Sequence, residues 1–207
     1  MKKKVIFNYP NLILLFITVI SVWLIIYFIK RNIFNYKFLA TFLFFGLAWL
    51  AVVVSKIFKI KIPSVIIISY YFFLILSLFF GVILGFYFIF PWYDDFNHFL
   101  AGALLTLFGI FIIAKLDNVG YLKFSLLLTY SLFFAGFCGG LWEIIEFMID
   151  RVFNYDIQRV GTTGVANTIV DLIMNLLGSI IIVFLLIIDD KVYKNKYLEK
   201  LLKKYGE

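Results

Sequence analysis

The chain has 207 residues, 64% of them hydrophobic and 15% charged, with a mean hydropathy of +1.05. Soluble domains carry roughly 25% charged residues, so this composition excludes a water-soluble globular protein and leaves no room for a soluble domain. The formal net charge of +7 sits in short loops and at the two ends. That placement argues against a nucleic-acid surface and for loops that meet anionic lipid headgroups.

Apolar runs of about 18 or more residues predict transmembrane helices, and six emerge in chain order. The first, 12–29, follows a basic start and is followed by Lys30 and Arg31. Its core is too long for a cleaved signal peptide, so it is expected to be retained. The second spans 38–55 and the third 64–89. The fourth spans 95–114, opening FNHFLAGALL; the fifth spans 124–149, ending GGLWEIIEFMI; the sixth spans 164–188. Nothing alternates with period two, so a barrel is excluded, and lipid then demands helices. The expectation is one all-α membrane domain over 1–207, a six-helix bundle with a basic tail at 189–207.

Lys and Arg divide as fourteen on one side against five on the other. By the positive-inside rule, both termini are expected in the cytoplasm, and the 90–95 loop faces outward. Trp92 and Tyr93 suit an interfacial aromatic belt. The single cysteine, Cys138, excludes an internal disulfide and reads as a packing residue. Gly81 and Gly85, and Gly136 and Gly140, have the GxxxG spacing that favours close helix approach and a helix-mediated oligomer. The stretch GTTG, 161–164, reads as a turn before the sixth helix. It lacks the lysine of a phosphate-binding loop.

The polar residues are unevenly placed. Asp94, Asp95 and the only histidine, His98, open the fourth span. Glu143, Glu146 and Asp150 close the fifth, at helical spacings that share one face. Asn167, Asp171 and Asn175 repeat every four residues at the start of the sixth. By topology all three sets lie at the outward ends of their helices. A charged carboxylate facing lipid costs about 2.5–3.5 kcal/mol, so these side chains must face one another, water or a cation. Several acids with one histidine and no lysine nearby cannot balance internally. Either some stay protonated, or the site holds a cation. An oxygen-rich set with one imidazole suits Mg²⁺, Mn²⁺, Fe²⁺ or Zn²⁺.

In the enzymatic reading, Glu143, Glu146 and Asp171 hold the metal. His98, oriented by Asp94 or Asp95, is the general acid or base. Asn167, Asn175 and Asp150 are secondary, and one of Asp94 and Asp95 is expected to cap its helix. The substrate class is then a lipid or envelope precursor. A proton- or cation-coupled transporter is the alternative, and a structural or partner subunit is the third. A three-histidine zinc site and an HExxH motif are excluded by the single histidine, and no nucleophile elbow marks a serine triad. With only Arg31, Arg151 and Arg159, phosphate clamping by arginine reads as weak.

Three stretches together, YDDFNHFLAG (93–102), WEIIEFMIDRVFNYDIQ (142–158) and NTIVDLIMNLLG (167–178), resemble the YjdF-like family of bacterial inner-membrane proteins. The resemblance covers roughly residues 60–188. It implies an aspartate before a His-Phe pair, then a Glu-x-x-Glu helix, then an Asp-Thr-x-x-Asp helix. Here Asn167 stands where that last element commonly begins with aspartate. The resemblance implies a multi-pass protein of the bacterial cell membrane and carries no activity with it.

Overall fold

The computed structural model describes residues 9–116 and 123–193. The lysines at 2–4 and most of the basic tail lie outside the described residues, so the tail and the predicted orientation stay expectations. The described chain is all-α, and six helices are long and apolar enough to cross a membrane. They are α1 (Tyr9–Lys30), α2 (Tyr36–Ile57), α3 (Ser64–Leu74, continued to Ile83 as a π-helix), α5 (Tyr93–Leu116), α6 (Phe124–Phe153) and α8 (Ala166–Ile188). One short turn of helix, α4 (Phe86–Ile89), precedes α5, and another, α7 (Val160–Thr163), precedes α8. The first, second, fourth and fifth helices run a few residues beyond the predicted spans, where polar residues extend the ladder past the apolar run, and the sixth begins two residues late, at Ala166. The third stops at Ile83, short of 89, where Gly85 takes φ 84°. That left-handed conformation suits glycine and breaks the helix.

The sequence predicts one continuous domain; the contacts group the chain into two compact units, Met1–Tyr93 and Asp94–Glu207. In the first unit α1 packs on α2 and α3 around Ile17, Phe44, Ala48 and Tyr71, all buried. The Asn35 side chain caps α2, accepting from the Lys37 and Phe38 N–H groups at 3.1 and 3.3 Å. The π-helical stretch Ile75–Ile83 widens the helix by one residue per turn, displacing carbonyls from the α-helical ladder. The Tyr93 hydroxyl donates to one of them, Leu76 O, at 2.9 Å.

In the second unit α5, α6 and α8 come together. α6 and α8 pack along one another, and α5 meets α8 through glycine. A methyl at Gly102 would overlap the Asn175 carbonyl, and one at Gly178 would overlap the Phe99 carbonyl. Only bare Cα atoms permit so close a crossing. Gly139 on α6 faces the Asn175 side chain, with the amide 2.8 Å from where a Cβ would stand. The predicted close approach at Gly136 and Gly140 is corrected: both look onto open space. Both are half-buried, beside the stripe of α6 that carries Gly139, Glu143 and Glu146. The GTTG turn is the end of α7, closed by Gly164 at φ 74°.

Candidate functional site

The second unit gathers the acids at one end of its helices. His98 sits one turn into α5, 8% exposed. Its Nε2 is 3.8 Å from Asp94 Oδ1, 3.8 Å from Glu143 Oε1 and 3.9 Å from Asp171 Oδ1. Three helices therefore aim carboxylate oxygens at one imidazole nitrogen. These separations exceed hydrogen-bond length. They fall inside about 4.2 Å, twice a metal–ligand bond of ~2.1 Å. Two sets of ligand atoms each lie within 4.8 Å of one another: Asp94, His98 and Asp171, and His98, Glu143 and Glu146. The sets share His98.

Burial sharpens the geometry. Asp171 is 1% exposed, Glu143 5% and Glu146 8%. Glu143 Oε1 and Asp171 Oδ1 are buried and accept no hydrogen bond. An acceptor left in that state costs about 1–3 kcal/mol, and here each set contains one. The second oxygens are, by contrast, held. Asn167 Nδ2 donates to Asp171 Oδ2, and Asn167 Oδ1 in turn accepts from the Thr163 hydroxyl at 3.2 Å. Gln158 Nε2 donates to Glu143 Oε2 at 3.3 Å and to the Glu143 carbonyl at 3.0 Å. The Trp142 indole N–H donates to Glu146 Oε1 at 2.8 Å. Each carboxylate is thus oriented from behind, as second partners orient metal ligands.

The remaining sequence-selected residues fall as follows. Asp94 and Asp95 both lie in the first turn of α5, where negative charge meets the positive end of the helix dipole. Asp94 points into the cluster, while half-buried Asp95 is in neither ligand set. Asn175 is 2% exposed, one turn below Asp171, and its Oδ1 has no partner. Asp150 is not among the converging acids. It accepts from the Ile157 and Gln158 N–H groups at 2.7 and 2.9 Å, and so folds the loop back onto α6.

That loop holds the two residues sequence reasoning missed. Gln158 is buried against Glu143. Arg159 places Nε 3.8 Å from Asp94 Oδ2, with its side chain 17% exposed. Two left-handed residues, Asn154 (φ 54°) and Arg159 (φ 56°), turn the chain at either end. Asp156 accepts from the Gly161 N–H at 2.9 Å. The signal in the sequence is Asp150 and Asp156 bracketing a polar Gln-Arg pair; loop geometry alone decides that the pair turns inward.

Deeper in the unit the polar groups change character. Thr106, Ser131 and Ser179 are fully buried. The Thr106 hydroxyl donates to Gly102 O at 2.8 Å, and the Ser131 hydroxyl to Leu127 O at 2.8 Å. Ser179 Oγ is 3.1 Å from both Gly102 O and Asn175 O.

Comparison of the chain with curated proteins and with solved structures finds no significant match. A family model described as "Predicted membrane protein (DUF2238)" matches residues 10–191, which takes in every residue of the cluster. The chain is a membrane protein belonging to this family, the YjdF-like proteins, as the three polar stretches suggest.

Proposed function

We propose that the second unit holds a divalent cation and that the protein is a cation-dependent membrane enzyme acting on an amphiphilic lipid or envelope substrate. The observation that carries this is the convergence on His98: three carboxylate oxygens at 3.8–3.9 Å, two of them buried without a partner. Among the described residues five carboxylates, Asp94, Asp95, Glu143, Glu146 and Asp171, gather here, and Arg159 is the cation paired with them. A cation satisfies the orphan oxygens and the excess charge together.

In this reading His98 is a ligand, with Asp94 and Asp171 on one side and Glu143 and Glu146 on the other. Proton transfer then passes from His98 to Asp95, which lies outside both sets. The donor set, rich in oxygen with one imidazole, fits Mn²⁺, Fe²⁺, Mg²⁺ or Zn²⁺. Such a cation, when bound, supplies Lewis acidity and an activated water. Gln158, Asn167 and Trp142 hold the carboxylates at the angles the cation needs. We place the protein in the bacterial cell membrane with both termini cytoplasmic, so that the site opens outward.

Catalysis is favoured over transport by the deeper hydroxyls, which turn back onto main-chain carbonyls and offer no chain of ligands. One observation favours the transport reading: the unpartnered Asn175 Oδ1, one turn beneath Asp171. Metal analysis of the purified protein tests the proposal, beside a Glu143→Gln, Glu146→Gln double variant. Near-stoichiometric metal in the wild type and its loss in the variant are expected. Equal metal in both, or none after incubation with Mn²⁺, Mg²⁺, Fe²⁺ and Zn²⁺, overturns it. Cation uptake into liposomes containing the protein would mark it as a transporter.

A further inference from the structure

We infer that the headgroup taken by this site carries a phosphate, and that Arg159 binds it beside the cation. The inference rests on the cation reading and adds the substrate class. Asp94 reaches both partners: Oδ1 is 3.8 Å from His98 Nε2 and Oδ2 is 3.8 Å from Arg159 Nε. The guanidinium and the cation position are therefore separated by about one carboxylate. A phosphate presents three outer oxygens at comparable spacing. It can meet the guanidinium fork with one edge and a cation with the remaining oxygen, the pairing that recurs at phosphoryl groups. A carboxylate can put one oxygen on each partner but has no third oxygen to fill the guanidinium fork, so it is held less well.

The scarcity of arginine weakens a phosphate reading at the level of sequence. Position in the fold reverses that judgement, because one of only three arginines is the cation that the α6–α8 loop delivers to the cluster. The delivery is built. Asp150 holds the two N–H groups just before Arg159, Asp156 holds Gly161 just after it, and Arg159 itself adopts the left-handed conformation. That conformation is disfavoured for a non-glycine residue, and the two carboxylates hold it in place. The phosphate belongs to an amphiphile, because the neighbouring faces are apolar and exposed. Trp142, Ile145 and Met148 on α6 and Ile169 and Ile173 on α8 are 46–58% exposed, on the outer sides of the helices that carry the cluster.

The acids make phosphate binding conditional. Without a divalent cation an anion meets excess negative charge; with one it meets two positive centres. Binding of the two is then reciprocal, each tightening the other by one factor. The experiment is a Mn²⁺ titration followed by electron paramagnetic resonance, on the full chain in a neutral maltoside detergent. It is run alone and with decyl phosphate, inorganic phosphate or decanoate. Decyl phosphate is expected to tighten Mn²⁺ binding by about tenfold in the wild type. Inorganic phosphate and decanoate should each do less. Arg159→Gln should still bind Mn²⁺ but with the same affinity in the presence and absence of decyl phosphate, and Arg159→Lys should keep a fraction of the tightening. Equal tightening in Arg159→Gln, or equal tightening by decanoate, overturns the role of Arg159. Equal tightening by inorganic phosphate overturns the amphiphile. Mn²⁺ binding with no tightening at all overturns the phosphate while sparing the cation. A wild type that binds no Mn²⁺ overturns both.

Discussion

Replacing Asp171 with asparagine changes one oxygen of a 1% exposed side chain into an amide and leaves the volume of the site intact. The cation reading gives this variant two effects of opposite sign. Asp171 Oδ1 is a buried acceptor without a partner, 3.9 Å from His98 Nε2. In the metal-free protein it stands among other carboxylates, and its loss relieves about 1–3 kcal/mol of unmet hydrogen bonding. The new amide can donate to those carboxylates while its oxygen still accepts from Asn167. At roughly 2–4 °C per kcal/mol for a chain of this size, the metal-free variant should melt several degrees above the metal-free wild type. Metal affinity moves the other way. Loss of a second-sphere partner typically costs 10–100-fold, so loss of a direct anionic ligand should cost at least about 100-fold, or ~2.7 kcal/mol. Thermal melts in detergent, with and without Mn²⁺, read both effects. The wild type should rise with Mn²⁺, and Asp171→Asn should start higher and stay put. A variant that melts lower without metal, and still gains from Mn²⁺ as the wild type does, would refute the reasoning.

Other perturbations separate the layers of the site. Gln158→Leu removes the amide that holds Glu143 and should weaken Mn²⁺ binding about 10–100-fold while the protein still inserts; an unchanged affinity would contradict its orienting role. Asp150→Asn loosens the turn that presents Gln158 and Arg159, so protease cleavage within 154–164 should become faster, and an unchanged rate would show the loop holds without it. Gly102→Leu forces a side chain into the Asn175 carbonyl and should lower the melting temperature or abolish folding, whereas Gly136→Leu, facing open space, should leave it unchanged within error.

The sequence made the spans legible because lipid enforces a simple rule: about 20 apolar residues in an unbroken helix. It made the acids legible because Asp94, His98, Glu143, Glu146 and Asp171 sit at helical spacings in otherwise apolar runs, where each is costly unless buried together. The π-helix at Ile75–Ile83 was not legible, since a one-residue widening leaves apolar composition untouched. Close packing was misplaced for a related reason. GxxxG spacing marks Gly136 and Gly140, but the face of α6 that turns inward is the one carrying Glu143 and Glu146. Of these glycines Gly139 is the one that meets a neighbouring helix, at Asn175, and spacing alone does not say which glycine along a face meets a partner. Gln158 and Arg159 escaped because a loop has no periodicity to read; their direction depends on main-chain hydrogen bonds to Asp150 and Asp156.

The chain has a single histidine, which makes one spectroscopic measurement decisive. Pulsed electron paramagnetic resonance on the protein with bound Mn²⁺, prepared without a histidine tag, reports whether an imidazole nitrogen is bonded to the ion. The account predicts a nitrogen coupling that can arise only from His98 and that disappears in His98→Gln. Tightly bound Mn²⁺ without that coupling, or no bound Mn²⁺ at all, would contradict the convergence on His98 as a cation site.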